Sequence, residues 1–436
     1  MRHARGVKTS ITPPHRAAQD LDLLERLAAE HGTPFWIWDE DVLRSRIEVI
    51  QNLTAANNVQ ARYAMKAAPM TRVLRTMKDS GIWIDAVSGN EVRRSLHAGF
   101  SNGKNPPEIC LTADVFRDNA IQMVLEEGVL PNLGSPGMVA ELAKHNYQGD
   151  VSVRVNPGFG HGHVNECDTG GPSSKHGIWI TEAKATQEAA NAAGMKVVML
   201  HAHIGSGPQI SELIENLSRL AEEFAEILSD FPDLEAVSLG GGIPHDYRDA
   251  STGIPVAELA VLFQKAQQML SKKAGRELRV EIEPGRFYVA PAAILVTRVT
   301  DVKKTETNEK GPGATFAMVD AGFVDLARPA MYGSYHKITL PGADGRDQAA
   351  TVVAGPLCES GDVFTRDDSE MLQPRDLPKA QAGDLMVLHD GGAYGYSMAS
   401  NYNSIGRAPQ LWLERDGEVT TLTRRETIED ILKLEV

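Results

Sequence analysis

The stretch Ala61-Arg62-Tyr63-Ala64-Met65-Lys66-Ala67 has the pattern of a short apolar β-strand that ends in a lysine. Strands of a covered parallel sheet bury both faces, so a cation at the end of one indicates a functional site. A lysine shielded from bulk water can lose its proton and attack an aldehyde. The alternative is a lysine whose stem packs along the strand while its ammonium reaches solvent. Lys66 therefore has to be interpreted together with the residues that follow it.

Strand-like segments recur up to residue 286, and turn residues and an amphipathic helix follow most of them. The eight predicted strands are Ala61–Ala67, Trp83–Ser88, Glu108–Ala113, Leu130–Leu133, Val151–Asn156, Val197–Ile204, Ala236–Leu239 and Arg279–Glu283. One predicted helix, Ser211–Asp230, has its large apolar side chains on one stripe. This alternation predicts an α/β fold, and the count of eight favours a closed (β/α)8 TIM-type barrel over an open doubly wound sheet.

After Pro291 the pattern changes to strand-like runs separated by Gly, Pro and Asp, with little helix. These runs are Ala292–Val299, Ala314–Val319, Ala350–Val353 and Asp384–Leu388, and Phe35–Trp38 near the N-terminus can join them. They predict a second, mostly β domain, either a small barrel or a sandwich. A length of 436 residues also favours two domains. We place the barrel at 44–290 and the β-rich domain at 1–43 and 291–436.

The charge of the chain excludes some classes of partner. Its formal net charge is −14, from 58 acidic and 44 basic residues, which repels nucleic acid and anionic membranes. We therefore predict a small-molecule ligand and neither of those partners. An anionic substrate has to be bound by individually placed arginines.

The lack of a signal-peptide pattern and the odd number of cysteines favour a cytoplasmic protein. The basic segment Met1–Arg5 is followed by Thr9–Pro14, where a signal peptide needs an apolar run. No stretch approaches the roughly 18 apolar residues of a membrane span. The cysteines are Cys110, Cys167 and Cys358, and their odd number argues against a disulfide framework.

Polar and glycine-rich motifs follow the ends of several predicted strands, and the active site of a (β/α)8 barrel lies at the C-terminal strand ends. These motifs contain Lys66, His201, His203, Gly240-Gly241-Gly242, Glu283 and Arg286. The glycine triplet lets the backbone approach an anion closely, although a purely structural turn has the same pattern. Its spacing matches neither the P-loop nor the dinucleotide fingerprint, so one phosphate on a smaller ligand fits better.

A phosphate beside an amine-reactive lysine indicates pyridoxal 5'-phosphate. That cofactor needs a lysine for its Schiff base and a partner for its pyridine nitrogen. Glu283 would keep this nitrogen protonated and make the ring a strong electron sink, as decarboxylation requires. His203 could lie over the face of the ring.

Two histidine patterns leave a metal site as an alternative. His201-Ala202-His203 has the spacing of a metal-binding pair on a strand, but amidohydrolase-like barrels carry that pair on the first strand and here it is on the sixth. His161-Gly162-His163, with Cys167 and His176, resembles a zinc loop, but the spacing matches no closed tetrahedral set. We predict no metal, and a metal-dependent barrel hydrolase remains the remote alternative.

The β-rich domain supplies further candidates, namely Cys358, Glu359, Arg328, Tyr332 and Tyr394. Surface salt bridges would also explain Arg328 and Glu359. Packing as a small buried side chain would also explain Cys358.

Taken together, these motifs resemble the bacterial meso-diaminopimelate decarboxylases, which belong to the alanine-racemase-like fold family of pyridoxal-phosphate enzymes. The resemblance runs from about Pro34 to Val436. The motifs that carry it are Tyr63–Lys66, His201–Ser206, Gly240–Gly242, Glu283–Arg286, Cys358–Ser360 and Gly392–Tyr394.

The resemblance implies a role for each candidate. Lys66 would carry the cofactor as a Schiff base, His203 would stack on its ring and Glu283 would pair with the ring nitrogen. The cofactor phosphate would be held by Ser206, Gly241, Gly242, Gly285, Arg286 and Tyr394. The substrate would be bound by Arg286, Arg328, Tyr332, Glu359 and Tyr394, with Glu359 on the distal amine.

The resemblance also implies a homodimer with shared active sites, because Cys358 and Glu359 of such enzymes enter from the partner subunit. Cys358 would be the proton donor, and the β-rich domain would contribute to the site and to the dimer interface. The implied reaction removes CO2 from the D-centre of meso-2,6-diaminopimelate to give L-lysine, the last step of lysine biosynthesis. Two arginines and a glutamate suit an intact amino-acid end better than a simple distal cation.

Other enzymes and two local departures qualify this interpretation. A decarboxylase of the same fold could act on another basic or carboxylated amino acid, and a non-catalytic relative should lack Cys358 or the arginines. Ala68-Pro69-Met70 replaces a frequent Cys-Ser-Asn, and Gly207 replaces a frequent glutamine. Both changes remove side-chain hydrogen bonds near the site.

Overall fold

The computed structural model describes residues 12–55, 58–101, 103–160, 169–205, 209–250, 253–309 and 311–436. The chain forms two compact units. Of the described residues, the first unit contains those within 47–245 and 253–287, and the second contains those within 12–46, 246–250 and 288–436. Within the described ranges, no helix has the length and apolar character needed to span a membrane.

In chain order the strands are β1 (Phe35–Asp39), β2 (Val59–Ala64), β3 (Trp83–Ala86), β4 (Ile109–Ala113), β5 (Leu130–Leu133), β6 (Asp150–Asn156), β7 (Ile178–Trp179), β8 (Lys196–His201), β9 (Ala236–Ser238), β10 (Arg279–Ile282), β11 (Ala293–Lys304), β12 (Thr315–Val319), β13 (Ile338–Thr339), β14 (Gln348–Ala354), β15 (Arg375–Pro378), β16 (Leu385–Leu388), β17 (Gln410–Leu413) and β18 (Val419–Thr423). The helices are α1 (Leu21–His31), α2 (Glu40–Thr54), α3 (Thr71–Asp79), α4 (Gly89–Ala98), α5 (Ala120–Glu127), α6 (Pro136–Lys144), α7 (Ala183–Ala192), α8 (Ile210–Ile227), α9 (Val256–Ala274), α10 (Arg286–Val289), α11 (Arg328–Tyr332) and α12 (Ile428–Leu432).

The first unit contains a closed barrel of parallel strands. Its hydrogen-bonded order is β5-β4-β3-β2-β10-β9-β8-β6, and pairing of β5 with β6 closes the ring. Helices α3 to α9 alternate with these strands along the chain, and the short β7 adds to β6. The prediction of a (β/α)8 TIM-type barrel is confirmed, and the open sheet was the wrong alternative.

Burial explains why these segments fold as they do. Every residue of β4 is buried, as expected for a strand covered on both faces. Helix α8 buries Leu213, Leu217, Leu220 and Phe224 on one side, which matches the predicted apolar stripe.

Five barrel strands end earlier than predicted, and three of them, β2, β3 and β8, end at least two residues earlier. After β2, residues Met65–Ala67 form a 3-10 turn, closed by a hydrogen bond from the Ala68 N–H to the Met65 carbonyl at 3.1 Å. Strand β8 ends at His201. Strand β3 ends at Ala86 because Ser88 instead caps α4, its hydroxyl accepting the Glu91 N–H at 3.2 Å. Lys66 and His203 therefore lie in loops just beyond their strands.

The second unit is built on a nine-stranded mixed sheet. Its main order is β15-β14-β12-β11-β1-β17-β18, with β16 on β11 and β13 on β16. Strand β1 is antiparallel to β11 and parallel to β17, so the N-terminal strand is integral to the sheet. Phe35, Ile37, Ile294, Val296 and Leu411 belong to its buried core. The prediction of a mostly β second domain that includes the N-terminal strand is confirmed.

Candidate active site

A buried carboxylate, Glu283, follows β10 at the C-terminal end of the barrel. Its Oε2 accepts a hydrogen bond from Nε2 of His201 at 2.8 Å, and its Oε1 accepts one from the hydroxyl of Ser238 at 2.6 Å. Burial alone raises the pKa of Glu283, but His201, Ser238 and the charge of Arg62 together lower it to about 2. Glu283 is therefore a fixed anion, held by side chains from β8 and β9.

His203 packs against the glycine loop that follows β9. The N–H of Gly241 donates to Nδ1 of His203 at 3.2 Å, so this predicted phosphate donor already has a partner. Burial, followed by the charges of Lys66 and Arg154, holds the pKa of His203 well below its usual range. The ring is therefore neutral, with Nδ1 as the acceptor.

Close packing requires glycine at each position of the triplet. A Cβ on Gly240 would lie 2.4 Å from the carbonyl oxygen of Ala202, and one on Gly241 would lie 2.5 Å from that of Glu283. Gly242 has φ +105°, and its Cβ would lie 2.6 Å from the carbonyl oxygen of Gly205. The loop is thus packed against the segment after β8, as a structural turn would be, and its phosphate contacts stay a prediction.

Lys66 lies on the 3-10 turn after β2. Its side chain is exposed, whereas Met65 and Ala67 are buried. The packing of this chain therefore does not shield the ammonium from water, contrary to the shielding considered from the strand pattern. The exposed amine is accessible to an aldehyde.

A second buried acid, Asp85 on β3, belongs to the same electrostatic group. Burial and then the charge of Glu283 raise the pKa of Asp85 to about 7, while a hydrogen bond with Thr112 and the charge of Lys66 act in the opposite direction. Its Oδ1 has no hydrogen-bond partner in the described part of the chain. Near neutral pH, Asp85 can therefore hold a proton while Glu283 stays ionised. Sequence reasoning assigned no role to Asp85, because a single aspartate in an apolar strand has no distinctive pattern.

The remaining barrel candidates follow β10 and β8. Gly285 packs against β2, where an added Cβ would lie 3.0 Å from the carbonyl oxygen of Ala64. Arg286 is half-buried and begins α10. Ser206 and Gly207 lie outside the described residues.

The histidines proposed for a metal site have other contacts. Nε2 of His201 faces the Glu283 carboxylate, so it carries a proton and cannot bind a metal at the same time. Nδ1 of His176 lies 2.8 Å from Oδ2 of Asp114. Where side chains are described, no cluster of three His, Cys, Asp or Glu residues could hold a metal ion. His161, His163 and Cys167 lie outside the described residues.

In the second unit, Arg328 is buried and held by aromatic neighbours. Arg328 is only 3% exposed, so a salt bridge at the protein surface does not explain why an arginine stands at this position. Its Nη1 lies 3.4 Å from Nε2 of His336, and its Cζ lies 4.9 Å from the ring centre of Tyr247. Nδ1 of His336 donates to the carbonyl of His389 at 2.8 Å, and burial, with the charge of Arg328, lowers the pKa of His336 to about 3. A neutral His336 therefore presents its Nε2 lone pair to Arg328.

Cys358 and Glu359 are exposed on a turn organised by Asp362. The Asp362 carboxylate accepts the N–H groups of Leu357 at 2.8 Å and Phe323 at 2.7 Å. Because Cys358 is exposed, its interpretation as a small buried side chain is wrong. The turn presents a thiol and a carboxylate on the outside of the second unit.

The two tyrosine candidates also lie in the second unit. Tyr332 is half-buried at the end of α11. Tyr394 has φ +59°, a left-handed conformation that is uncommon for residues other than glycine and that clusters at functional sites. The predicted site residues are thus divided, with the cofactor lysine and carboxylate in the barrel and the thiol in the β-rich unit.

The described barrel residues fit pyridoxal phosphate. Lys66 offers an accessible amine, Glu283 a fixed buried anion and His203 a neutral ring. The unpartnered oxygen of Asp85 adds a polar group at this end of the barrel.

Comparisons with known proteins agree with this chemistry. Residues 40–290 match the family described as "Pyridoxal-dependent decarboxylase, pyridoxal binding domain". The diaminopimelate decarboxylase of Escherichia coli (strain K12) is 39% identical over 433 residues, which cover 97% of this chain and 100% of that protein.

Solved structures give the same result. A crystal structure of diaminopimelate decarboxylase, 38% identical, superposes with a TM-score of 0.87 and covers 97% of this chain and 99% of its own. The diaminopimelate decarboxylase from Helicobacter pylori complexed with L-lysine is 28% identical, with a TM-score of 0.81, covering 94% of this chain and 98% of its own. With a matched cofactor domain and relatives aligned over nearly their whole length, the chain belongs to the diaminopimelate decarboxylase family of pyridoxal-dependent decarboxylases.

Proposed function

We propose that the protein removes CO2 from the D-centre of meso-2,6-diaminopimelate and releases L-lysine, the last step of lysine biosynthesis. The observation that carries this proposal is Glu283, a buried anion with two hydrogen-bond donors at the end of β10. Membership of the family and the lysine bound to one relative support the choice of substrate.

The barrel residues would hold and tune the cofactor. When bound, pyridoxal phosphate supplies a ring that accepts the electrons of the bond broken at the α-carbon. Lys66 would bind it covalently through Nζ, and His203 would pack against the ring. Glu283, whose pKa of about 2 keeps it ionised at neutral pH, would hold a proton on the ring nitrogen. The phosphate would be bound by Ser206, Gly241, Gly242, Gly285, Arg286 and Tyr394.

Arg286 of the barrel, together with side chains of the β-rich unit, would recognise the far end of the substrate. Arg286, Arg328 and Tyr332 would bind the distal carboxylate, with Tyr394 nearby, and Glu359 would accept the distal ammonium. Arg328 is buried, and its guanidinium can bind a carboxylate through paired N–H donors. This favours diaminopimelate over a related decarboxylase substrate that has a simple distal amine.

Cys358 and Glu359 would act across a homodimer. The Cys358 Sγ would deliver a proton to the α-carbon after CO2 has left. The exposure of this turn on a single chain supports a role in a neighbouring subunit. The cofactor domain would be 44–290, and the β-rich domain, 1–43 and 291–436, would contribute to the site and the interface. A cytoplasmic location stays a prediction from the cysteine count.

The activity is tested by incubating the purified holoenzyme with meso-diaminopimelate and measuring CO2 and L-lysine. LL-diaminopimelate, which lacks a D-centre, is the control substrate, and L-ornithine is the competing class. Arg328→Lys keeps the charge but loses the guanidinium fork, so we expect KM to rise. Faster turnover of ornithine than of meso-diaminopimelate would contradict the proposed substrate.

The shared site is tested by subunit exchange between two inactive variants, Lys66→Ala and Cys358→Ala. Random pairing gives roughly half heterodimers, each with one site that carries both substitutions and one that carries neither. About a quarter of wild-type activity should return. If the thiol served its own chain, every site would keep one substitution and no activity would return despite exchange.

A further inference from the structure

A cavity of about 520 Å³ in the second unit is rich in positive charge. Its cationic lining residues are Arg248, Lys337, Arg366 and Arg375, and its acidic ones are Asp367 and Asp376. The lining therefore carries an excess of two positive charges in a chain whose formal net charge is −14. Such a local reversal of sign creates a potential that attracts small anions.

Two of the guanidinium groups meet at one aromatic ring. The Cζ atoms of Arg248 and Arg375 lie 4.5 Å and 4.0 Å from the ring centre of Tyr335. Nη1 of Arg375 also donates to the carbonyl of His336. Burial lowers the pKa of Arg375, and the nearby charge of Arg248 lowers it further. The two cations are thus held near each other although they repel.

The protein does little to neutralise these cations. Among the described residues, Arg248, Lys337 and Arg375 form no ion pair. The Asp367 carboxylate accepts the Met371 N–H at 2.9 Å and the side-chain amide of Gln373 at 2.6 Å. These bonds hold Asp367 to its own loop.

The fourth cation is buried with a weak partner. The side chain of Arg366 is only 10% exposed, and its carboxylate neighbour Glu370, 3.5 Å away, is 83% exposed. An exposed carboxylate at this distance contributes little. Nη1 of Arg366 also donates to the carbonyl of Gly361 at 3.4 Å, so the guanidinium is held in place while its charge is little neutralised.

The wall of the cavity is preformed. Gly333 ends α11 with φ +58°, and a Cβ there would lie 2.1 Å from the backbone nitrogen of Asp368. The end of α11 is therefore in direct contact with the loop that carries Arg366 and Asp367. A cavity of this size suits a small metabolite.

We propose that this cavity binds a small dianion, either a phosphate group or a dicarboxylate. Guanidinium groups bind both through paired N–H donors, and two negative charges match the excess of positive charge. None of the lining residues is among those proposed for the cofactor or for diaminopimelate. This proposal therefore does not rest on the proposed reaction, and failure of one proposal leaves the other standing.

Calorimetric titration of the holoenzyme at low ionic strength, with inorganic phosphate and separately with succinate, tests the site. Arg248→Gln and Lys337→Gln change exposed residues, so both variants should fold. Each removes a charge-assisted contact and should weaken anion binding about 10-fold or more. Arg415→Gln is the matched control, since Arg415 pairs with Asp41 and does not line the cavity.

A phosphate-bearing ligand is supported if phosphate binds saturably and both cavity variants weaken that binding. The Kd of Arg415→Gln for phosphate should stay within about twofold of the wild-type value. The same pattern with succinate alone supports a dicarboxylate. Absence of saturable binding for both anions overturns the proposal. Equal weakening in Arg415→Gln also overturns it, because the effect would then come from the net charge of the protein.

Discussion

Replacing Glu283 with glutamine removes one negative charge from a buried site and keeps the size of the side chain. The carboxylate accepts hydrogen bonds from His201 at 2.8 Å and from Ser238 at 2.6 Å. An amide offers one oxygen to these two donors, so one of them must face the amide NH2 group or turn away. Each lost charge-assisted bond is worth about 1.5–3 kcal/mol.

The substitution also removes the anion proposed to hold a proton on the ring nitrogen. Loss of one preorganised electrostatic contact of this kind costs about 100-fold or more in kcat, or about 3 kcal/mol. Lys66 is unchanged, so the variant should keep its cofactor. We therefore expect Glu283→Gln to be a cofactor-loaded protein with slow turnover.

Glu281→Gln, on the strand that ends just before Glu283, is the matched control. Glu281 lies two residues earlier on β10, is fully buried, and contacts Arg62 at 2.5 Å and Arg279 at 2.8 Å. The chemical change is identical, but it falls on an ion pair with no proposed role in the reaction. We expect a lower free energy of unfolding, with kcat within a few-fold of the wild type.

The assay is CO2 release at saturating substrate, normalised to pyridoxal phosphate liberated by alkali from the same sample. A loaded Glu283→Gln enzyme within a few-fold of the wild type would refute the pairing with the ring nitrogen. Equal losses in both variants would point instead to general disturbance of the barrel.

Three further predictions concern the barrel. Borohydride reduction of the holoenzyme followed by peptide mapping should leave the cofactor on Lys66, and label on another lysine would contradict that role. Arg62→Met breaks a fully buried ion pair and should lower the unfolding free energy by about 3–5 kcal/mol in urea titrations; a change below about 1 kcal/mol would contradict this. The pKa of Asp85 rises from 3.8 to about 7 on folding, so the folded state binds the extra proton and stability falls as pH rises between these values. Asp85→Asn should therefore raise Tm more at about pH 8 than at about pH 5, and equal gains would show that Asp85 does not titrate this way.

The fold could be predicted from the sequence because its signals are local. The apolar runs of all eight barrel strands and the stripe of α8 are visible within short windows. The predicted ends of the strands were less accurate, because the point at which a strand ends depends on hydrogen bonds to residues far away in the sequence. The N–H of Ala64, for example, bonds to the carbonyl of Pro284 at 3.2 Å, more than 200 residues away.

The sequence was enough to predict which residues form the candidate site. It was not enough to predict the contacts that determine the charge of each side chain. Glu283 is visible as a carboxylate after a strand, but its bond to Ser238 depends on the order in which β9 and β10 pair. The neutral His336 beside Arg328 depends on burial and on the carbonyl of His389, which no local pattern predicts.

The two histidines after β8 show most clearly why spacing alone misleads. Alternate residues face the same side only while the strand continues, and β8 ends at His201. His201 is therefore still part of the strand and directs its Nε2 at Glu283. His203 lies in the loop, where its Nδ1 accepts the Gly241 N–H. A metal pair requires both rings to converge on one point, but these rings have separate partners. Because the strand ends between the two histidines, a spacing typical of a metal pair gives two separate contacts. His201 fixes the buried anion, and His203 packs on the glycine loop.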